Sequence, residues 1–234
     1  MFWHTLERTI IFTVANVGLT MVLGTLIALL LVRVATWVRL LLTVGLVLVW
    51  AMPPVVAVQV WSWMTISQNG VVNYVLTQLH LGDFFQHNWY ETPTSQLAMV
   101  TTLIVWGAIP FVTITVYAAL SQVPRELIEA AQIDGARAWR IFKDVTLPVL
   151  MPVLLILTSL SIIWDFGAFT QPYLLIGPGQ QVPSNYLMSV YLYVEGFGKT
   201  DFGRGAAISI LMLAIVAIMS VVYVRRMLRV GEAA

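Results

Sequence analysis

Between Thr9 and Val32 the chain runs for 24 residues without an Asp, Glu, Lys or Arg. At about 1.5 Å of rise per residue, a helix of that length exceeds the roughly 30 Å hydrocarbon core of a bilayer. The run is also too long for the apolar core of a signal peptide. Comparable runs follow at Leu40–Trp63, Leu97–Leu120, Pro148–Phe169 and Ala206–Val224, and only the fourth contains a charge, Asp165. A backbone in hydrocarbon must satisfy its own polar groups, which leaves helices for segments of this kind. The sequence therefore predicts an all-α membrane protein, a polytopic helical bundle with one transmembrane domain over 1–234 and five spans. With 59% hydrophobic and 10% charged residues, composition supports the same class.

The spans carry interruptions. Pro53-Pro54 removes two helix donors and biases Met52 away from helical geometry, so the second run is predicted to bend or break there, inside the protein rather than facing lipid. Pro110 predicts a local break in the third. Asn16 is the main polar residue of the first, and Gly18 and Gly24 would let a neighbouring helix approach closely. Trp61 and Trp63 suit a small-molecule contact or an interfacial anchor. Asp165 stands out, because an ionised carboxylate at the centre of a span costs about 2.5–3.5 kcal/mol on insertion scales. Helical spacing puts Ser161, Trp164, Asp165 and Ala168 on one face. Apart from any functional role, Asp165 could pair with a residue of a partner subunit or cap a broken helix.

The connections contain no chemistry of their own. Ser67 to Ser95 holds His80, Asp83, His87 and Glu91, without the spacing of a metal site. Gln171 to Arg204 contains Gly177-Pro178-Gly179, a turn signal rather than a phosphate loop. The chain has no Cys, which removes disulfides, Cys-based metal sites and thiol nucleophiles. No catalytic constellation and no basic tract for nucleic acid is present, so the chain is expected to be neither an enzyme nor a nucleic-acid binder, with no cofactor or metal of its own.

Pro124 to Pro148 is the longest segment that cannot enter a bilayer, and it concentrates 8 of the 23 charged residues. A helix is predicted from Pro124, then a turn at Asp134-Gly135, then a second amphipathic helix from Ala136 to Asp144 capped by Asp134. Apolar Ile128, Ala131, Trp139 and Phe142 alternate with the charges. Tethered between two spans, such a segment suits a protein partner at the membrane surface.

Within it, Glu129-Ala130-Ala131, three residues, Gly135, nine residues and then Val145-Thr146-Leu147-Pro148 resemble the EAA loop of permease subunits of binding-protein-dependent ABC importers. Val145 stands where Ile is more usual. The surrounding VPRELIEAAQIDGA and TLPVLMPVL resemble the carbohydrate-uptake branch, of maltose/trehalose type. So do VWSWMTISQNGVVNYVL, SLSIIWDFGAF and DFGRGAAISILML. The resemblance covers about Thr9 to Arg229. It implies a type I ABC importer permease-like fold in which the loop 121–147 carries a cytoplasmic EAA coupling helix.

It also implies partners. These are a second permease subunit in a heterodimer, two cytoplasmic ATPase subunits that bind the ATP and Mg, an extracytoplasmic sugar-binding protein and the lipid bilayer. The cargo would be a neutral mono- to oligosaccharide, a disaccharide being favoured. Glu129, Ala130, Ala131, Asp134, Gly135, Arg137, Trp139, Phe142, Leu147 and Pro148 would form the ATPase-coupling surface. Glu129 would pair with a cation in the ATPase cleft, and Trp139 and Phe142 would supply apolar contact. Trp106, Phe111, Ser161, Trp164 and Asp165 would line the substrate path. A polyamine would want more intramembrane carboxylates, and an anion would want buried cations, so a neutral sugar fits better. An ATP-independent secondary transporter or channel leaves the charged loop unexplained, and a membrane enzyme lacks a nucleophile with its base.

If that loop is cytoplasmic, nine of the twelve Lys and Arg fall on the inner side, leaving Arg8, Lys199 and Arg204 outside. This predicts a bacterial cytoplasmic (inner) membrane protein with a cytoplasmic C-terminus. Permeases of this type usually have at least six membrane helices, so their first helix is expected to be absent here. Truncation and a naturally short subunit both remain open.

Overall fold

The computed structural model describes residues 1–231, apart from the side chains of Arg125, Val224 and 226–231. Residues 232–234 of the expected domain, and the side chains of Arg125, Arg226 and Arg229 in the charge count, lie outside the described part. Among the described residues every regular element is helical. The helices are α1 (Phe2–Arg33), α2 (Thr36–Trp50), α3 (Pro54–Met64), α4 (Val71–Gln78), α5 (Pro93–Leu120), α6 (Arg125–Ile133), α7 (Ala138–Ile141), α8 (Leu147–Phe166), α9 (Thr170–Ile176), α10 (Met188–Tyr193) and α11 (Phe202–Gly231). Four are long and apolar enough to cross a membrane: α1, α5, the run Ala138–Phe166 and Phe202–Tyr223 of α11. The pair α2 and α3 makes a fifth if counted together, and the chain bends by 101° between them at Pro53. Neither proline can donate to the preceding turn, so the helix ends at Trp50 and restarts with Pro54 in its first turn.

Pro110 behaves differently. It lies inside an unbroken α5 rather than at the expected break. A single proline removes one hydrogen bond, and the turns on either side hold the helix through it.

The long helices run through two compact units. One comprises residues 1–16, 51–107 and 164–214. Its main core gathers Phe12, Val58, Val100, Leu103, Ile176 and Leu187, and a second cluster gathers Tyr186, Met188, Val190, Tyr191 and Ile208. The stretch from Gln171 to Arg204, read from sequence as a connection, is thus largely built into the core as α9, α10 and a π turn at Val194–Gly198. Side chains of α1 and α5 fix it there. Thr9 Oγ1 accepts the Met188 N–H at 2.9 Å, Arg8 donates to the Tyr186 carbonyl at 2.9 Å, and Asn185 donates to Gln96 Oε1 at 2.7 Å.

The other polar connection, before α5, is ordered by Asn73. Its amide donates to the carbonyls of Ser67 and His87, and its oxygen accepts the Trp89 indole N–H. His87 packs edge-on to Trp89 with ring centroids 4.6 Å apart.

The second unit comprises 17–50, 108–163 and the chain from 215 onward. Ala28, Val112, Val116, Leu150 and Leu157 form its core, from α1, α5 and α8. Gly24 is the close approach: a Cβ there would stand 2.6 Å from Val112 Cγ1, and its carbonyl accepts the Thr113 hydroxyl at 3.2 Å. Gly18, the other expected contact, has nothing within 4 Å of such a Cβ. Arg39 closes the turn after α1, donating to Tyr117 Oη at 2.9 Å and lying 5.6 Å from the centre of that ring.

One ionic cluster stabilises the turn into α11. The Glu195 side chain, 2% exposed, accepts from Lys199 Nζ at 2.6 Å and from Arg204 Nη1 at 3.1 Å. The Lys199 hydrogen bond is the chief cause that holds its carboxyl below the ordinary value of 4.5. A carboxylate with a depressed folded pKa stabilises the fold above its unfolded value and loses that contribution as pH falls through the folded one. Thermal unfolding of the purified chain should therefore show an acid-side loss of stability setting in below about pH 4.5, and Glu195→Gln should be less stable at pH 7 yet flatter across that window.

Candidate functional site

The charged segment from Pro124 to Pro148 is a folded device. Pro124 is the N-cap of α6, and Glu126 sits in the first turn, where the helix dipole favours a carboxylate. At the other end the Gly135 N–H donates to the Gln132 carbonyl at 3.0 Å and the Ala136 N–H to the Ala131 carbonyl at 2.9 Å. Those two bonds, with Gly135 at φ +74°, make a Schellman motif. Asp134 is the C-cap of α6, so it closes the first helix rather than starting the second. The second starts at Arg137, in extended geometry and without a side-chain cap, and the Arg137 carbonyl accepts from Arg140 at 2.8 Å and Ile141 at 3.0 Å.

From Ala138 the chain does not stop before Pro148. It passes through a π turn at Phe142–Thr146 straight into α8, the Leu147 N–H reaching back to the Phe142 carbonyl. Pro148 has no N–H to offer the Asp144 carbonyl, and the wider turn just ahead of it takes up the mismatch. The sequence gives no periodic signal for a π turn; the proline one turn after a charged helix is the clue it does offer.

α7 and α8 are thereby joined in one continuous helical run, Ala138–Phe166. The expected coupling residues divide accordingly. Glu129, Ala130, Asp134, Gly135, Arg137 and Trp139 are exposed, Ala131, Phe142 and Leu147 are half-buried, and Pro148 is exposed at the start of α8. Trp139, 73% exposed, packs against Phe142 with centroids 5.8 Å apart. Arg140 and Asp144 pair at 3.4 Å in the open, where such a bridge adds little. Ile133 is 86% exposed and Leu127 49%. Apolar groups held out among charges on a rigid turn are the mark of a docking face.

The expected path residues fall in both units. Trp106, Trp164 and Asp165 belong to the first, Phe111 and Ser161 to the second. Trp106 lies edge-on to Trp61 at 5.9 Å between centroids. Phe111 stacks on Trp50 at 6.0 Å, a neighbour that the sequence left unmarked although it directly precedes the Pro53 bend. Ser161 and Asp165, one turn apart on α8, are 6% and 7% exposed, whereas Trp164 between them is 52% exposed and faces outward from the chain.

Asp165 stands in the last turn of α8, at the negative end of the helix dipole, and makes no ion pair among the described residues. The next helix, α9, begins at Phe169 without a side-chain cap. Helix capping therefore does not account for Asp165. Among the described residues no three His, Cys, Asp or Glu converge as a metal site would require.

Comparison with known proteins places this architecture. The profile of the family described as binding-protein-dependent transport system inner membrane component matches residues 20–229. The chain belongs to that family. It is 45% identical over 231 residues to the diacetylchitobiose uptake system permease protein of Streptomyces coelicolor, covering 99% of this chain and 70% of that one. It is 33% identical over 226 residues to the trehalose/maltose transport system permease protein MalF of Thermococcus litoralis, covering 96% and 74%. Among solved structures, the fold matches a chain of the bacterial ABC transporter involved in import of the acidic polysaccharide alginate. The TM-score is 0.82, over 97% of this chain and 79% of that one, at 19% identity. At that identity the likeness is one of fold. The chain is thus a helical transport component and not an enzyme.

Gly135 gives the sharpest test of the segment. A β-branched side chain at φ +74° is strained by about 1–2 kcal/mol and would open the turn that sets α6 against α7. If the segment couples to an ATPase, as its resemblance to the EAA loop implies, Gly135→Val should leave the spans folded and the protein in the membrane while abolishing both solute uptake and stimulated ATP hydrolysis; uptake at the normal rate would contradict that role.

Proposed function

We propose that the chain is a membrane-spanning subunit of an ATP-driven sugar importer, with α6, the Gly135 turn and α7 docking on a cytoplasmic ATPase dimer. The observation that carries this reading is the exposed, rigidly turned segment, whose Glu-Ala-Ala…Gly spacing is that of the importer coupling loop and which runs without a stop into α8. A second permease completes the path, and an extracytoplasmic binding protein delivers the solute. ATP and Mg belong to the ATPase subunits. With five crossings, counting α2 with α3 as one, the docking segment and the C-terminus share one side of the membrane, and the distribution of Lys and Arg supports the cytoplasm as that side.

Coupling is then a transfer of rigid-body motion. Closure of the ATPase pair moves α6 and α7, and α8 moves with α7 because the π turn keeps them hydrogen-bonded as one rod. Ser161 and Asp165 ride at the far end of that rod.

The cargo we assign is a neutral disaccharide. Two of the similar permeases are named for diacetylchitobiose and for trehalose/maltose. Within the first unit Trp106 offers a ring face and Asp165 a hydrogen-bonding group, the kinds of group that small-molecule sites use.

Uptake of radiolabelled disaccharide and ATP hydrolysis, measured on the reconstituted assembly, separate the two roles. Asp165→Ala should lower uptake about ten- to hundredfold, the worth of one charged hydrogen bond, with the complex intact. Glu129→Ala should lose ATPase docking and uptake together. Disassembly by Asp165→Ala would make this carboxylate a subunit contact, and uptake without any ATPase would overturn the importer reading.

A further inference from the structure

The cytoplasmic half of the second unit contains a cavity of about 1020 Å³ between α1, the docking segment and α8. Its walls are mostly apolar, with Thr25, Gln132 and Thr146 among the polar residues that line it. Val22, Leu26 and Leu29 of α1, Trp139 and Phe142 of the docking segment and Leu154 of α8 all line it. Val22 and Leu26 lie one turn apart and are more than half exposed, so this wall opens outward from the protein. Thr158, also in the lining, donates its hydroxyl to the Leu154 carbonyl of its own helix at 2.7 Å, which leaves its methyl for the cavity.

Among the lining residues one carries a charge, Arg33. It is exposed at the last residue of α1, and its guanidinium makes no ion pair or side-chain hydrogen bond among the described residues. Among the described residues no carboxylate lines the cavity.

Length decides what such a groove can hold. From Arg33 back to Val22 is eleven residues, about 16 Å of helix, which is close to one half of the roughly 30 Å hydrocarbon core. The volume stands at the top of the range of about 300–1,000 Å³ used for small ligands. An unpaired cation at the membrane edge, an uncharged slot one leaflet deep beneath it and an opening toward lipid complement one kind of molecule: an amphiphile with an anionic head and long acyl chains.

We infer that this groove binds an anionic phospholipid of the inner leaflet, its phosphate at Arg33 and an acyl chain between α1 and the Trp139–Phe142 pair. The inference rests on the orientation proposed above. Basic residues just inside a membrane attract anionic headgroups by about 1 kcal/mol each, which is about fivefold in occupancy. The consequence is regulatory. A chain lying against Trp139 and Phe142 supports the underside of the docking segment, so lipid composition sets how firmly α7 transmits movement to α8.

Native mass spectrometry of the intact assembly, exchanged into nanodiscs of palmitoyl-oleoyl phosphatidylglycerol or phosphatidylcholine, tests this directly. The wild type should retain phosphatidylglycerol in preference to phosphatidylcholine. Arg33→Gln should cut that preference about fivefold, and Leu26→Trp, which fills the slot, should remove the retained lipid of either kind. Unchanged retention in both variants would overturn the proposal. So would an efficient disulfide between Leu26→Cys and a cysteine scanned along the second permease, since a protein helix would then occupy the groove. The same spectra report which subunits accompany the chain, so a missing ATPase beside a retained lipid would count against the importer reading and not against the groove.

Discussion

Inside hydrocarbon every backbone N–H and C=O must find its partner within the protein, and this structure is arranged around the places where its prolines make that difficult. At Pro53-Pro54 the helix gives way, and the chain bends by 101° between α2 and α3. At Pro110 the helix persists, because a single lost bond in the middle of α5 is tolerated. At Pro148 the answer is a π turn, which keeps α7 and α8 continuous across the boundary between the charged segment and the span. Three proline sites thus give a corner, an unbroken helix and a π-turn joint. The third matters most for function, since a break there would let α7 move without α8.

The charged segment obeys the complementary constraint. It cannot enter lipid, and both of its ends are tied to spans, so it must fold on the surface as a short, self-contained unit. It does so through backbone bonds rather than side-chain caps. The carbonyls of Ala131 and Gln132 satisfy the donors of the turn at Gly135, and the small side chains of Ala130 and Ala131 keep that surface low. What remains exposed, notably Ile133, Trp139 and Glu129, is a mixture of apolar and charged groups. A face of this sort is stable in water and still gains by being covered.

Much of this was legible in residue order. Uncharged runs of 24 residues announce membrane helices, the Pro53-Pro54 pair announces the bend, and Gly135 announces the turn. The failures share a cause. The stretch from Gln171 to Arg204 looked like a loop because its apolar runs are short. Its helices α9 and α10 exist through distant partners, such as Thr9 for the Met188 N–H and Gln96 for Asn185, which no local pattern encodes. By residue type Asp134 suits the cap of the second helix, but the Schellman geometry makes it the end of the first. In the path, spacing correctly put Ser161 and Asp165 one turn apart, yet only the packed chain shows that these two are buried and Trp164 is exposed. The groove beneath Trp139 and Phe142 was not legible at all, since it is made by the spacing between helices.

The account depends most on the docking segment having partners. Purifying the unmodified chain in mild detergent from its native membrane, and identifying the proteins bound to it, tests that directly. Recovery of a second permease together with an ATPase is the predicted result. A lone chain or homo-oligomer that moves solute without ATP would contradict it.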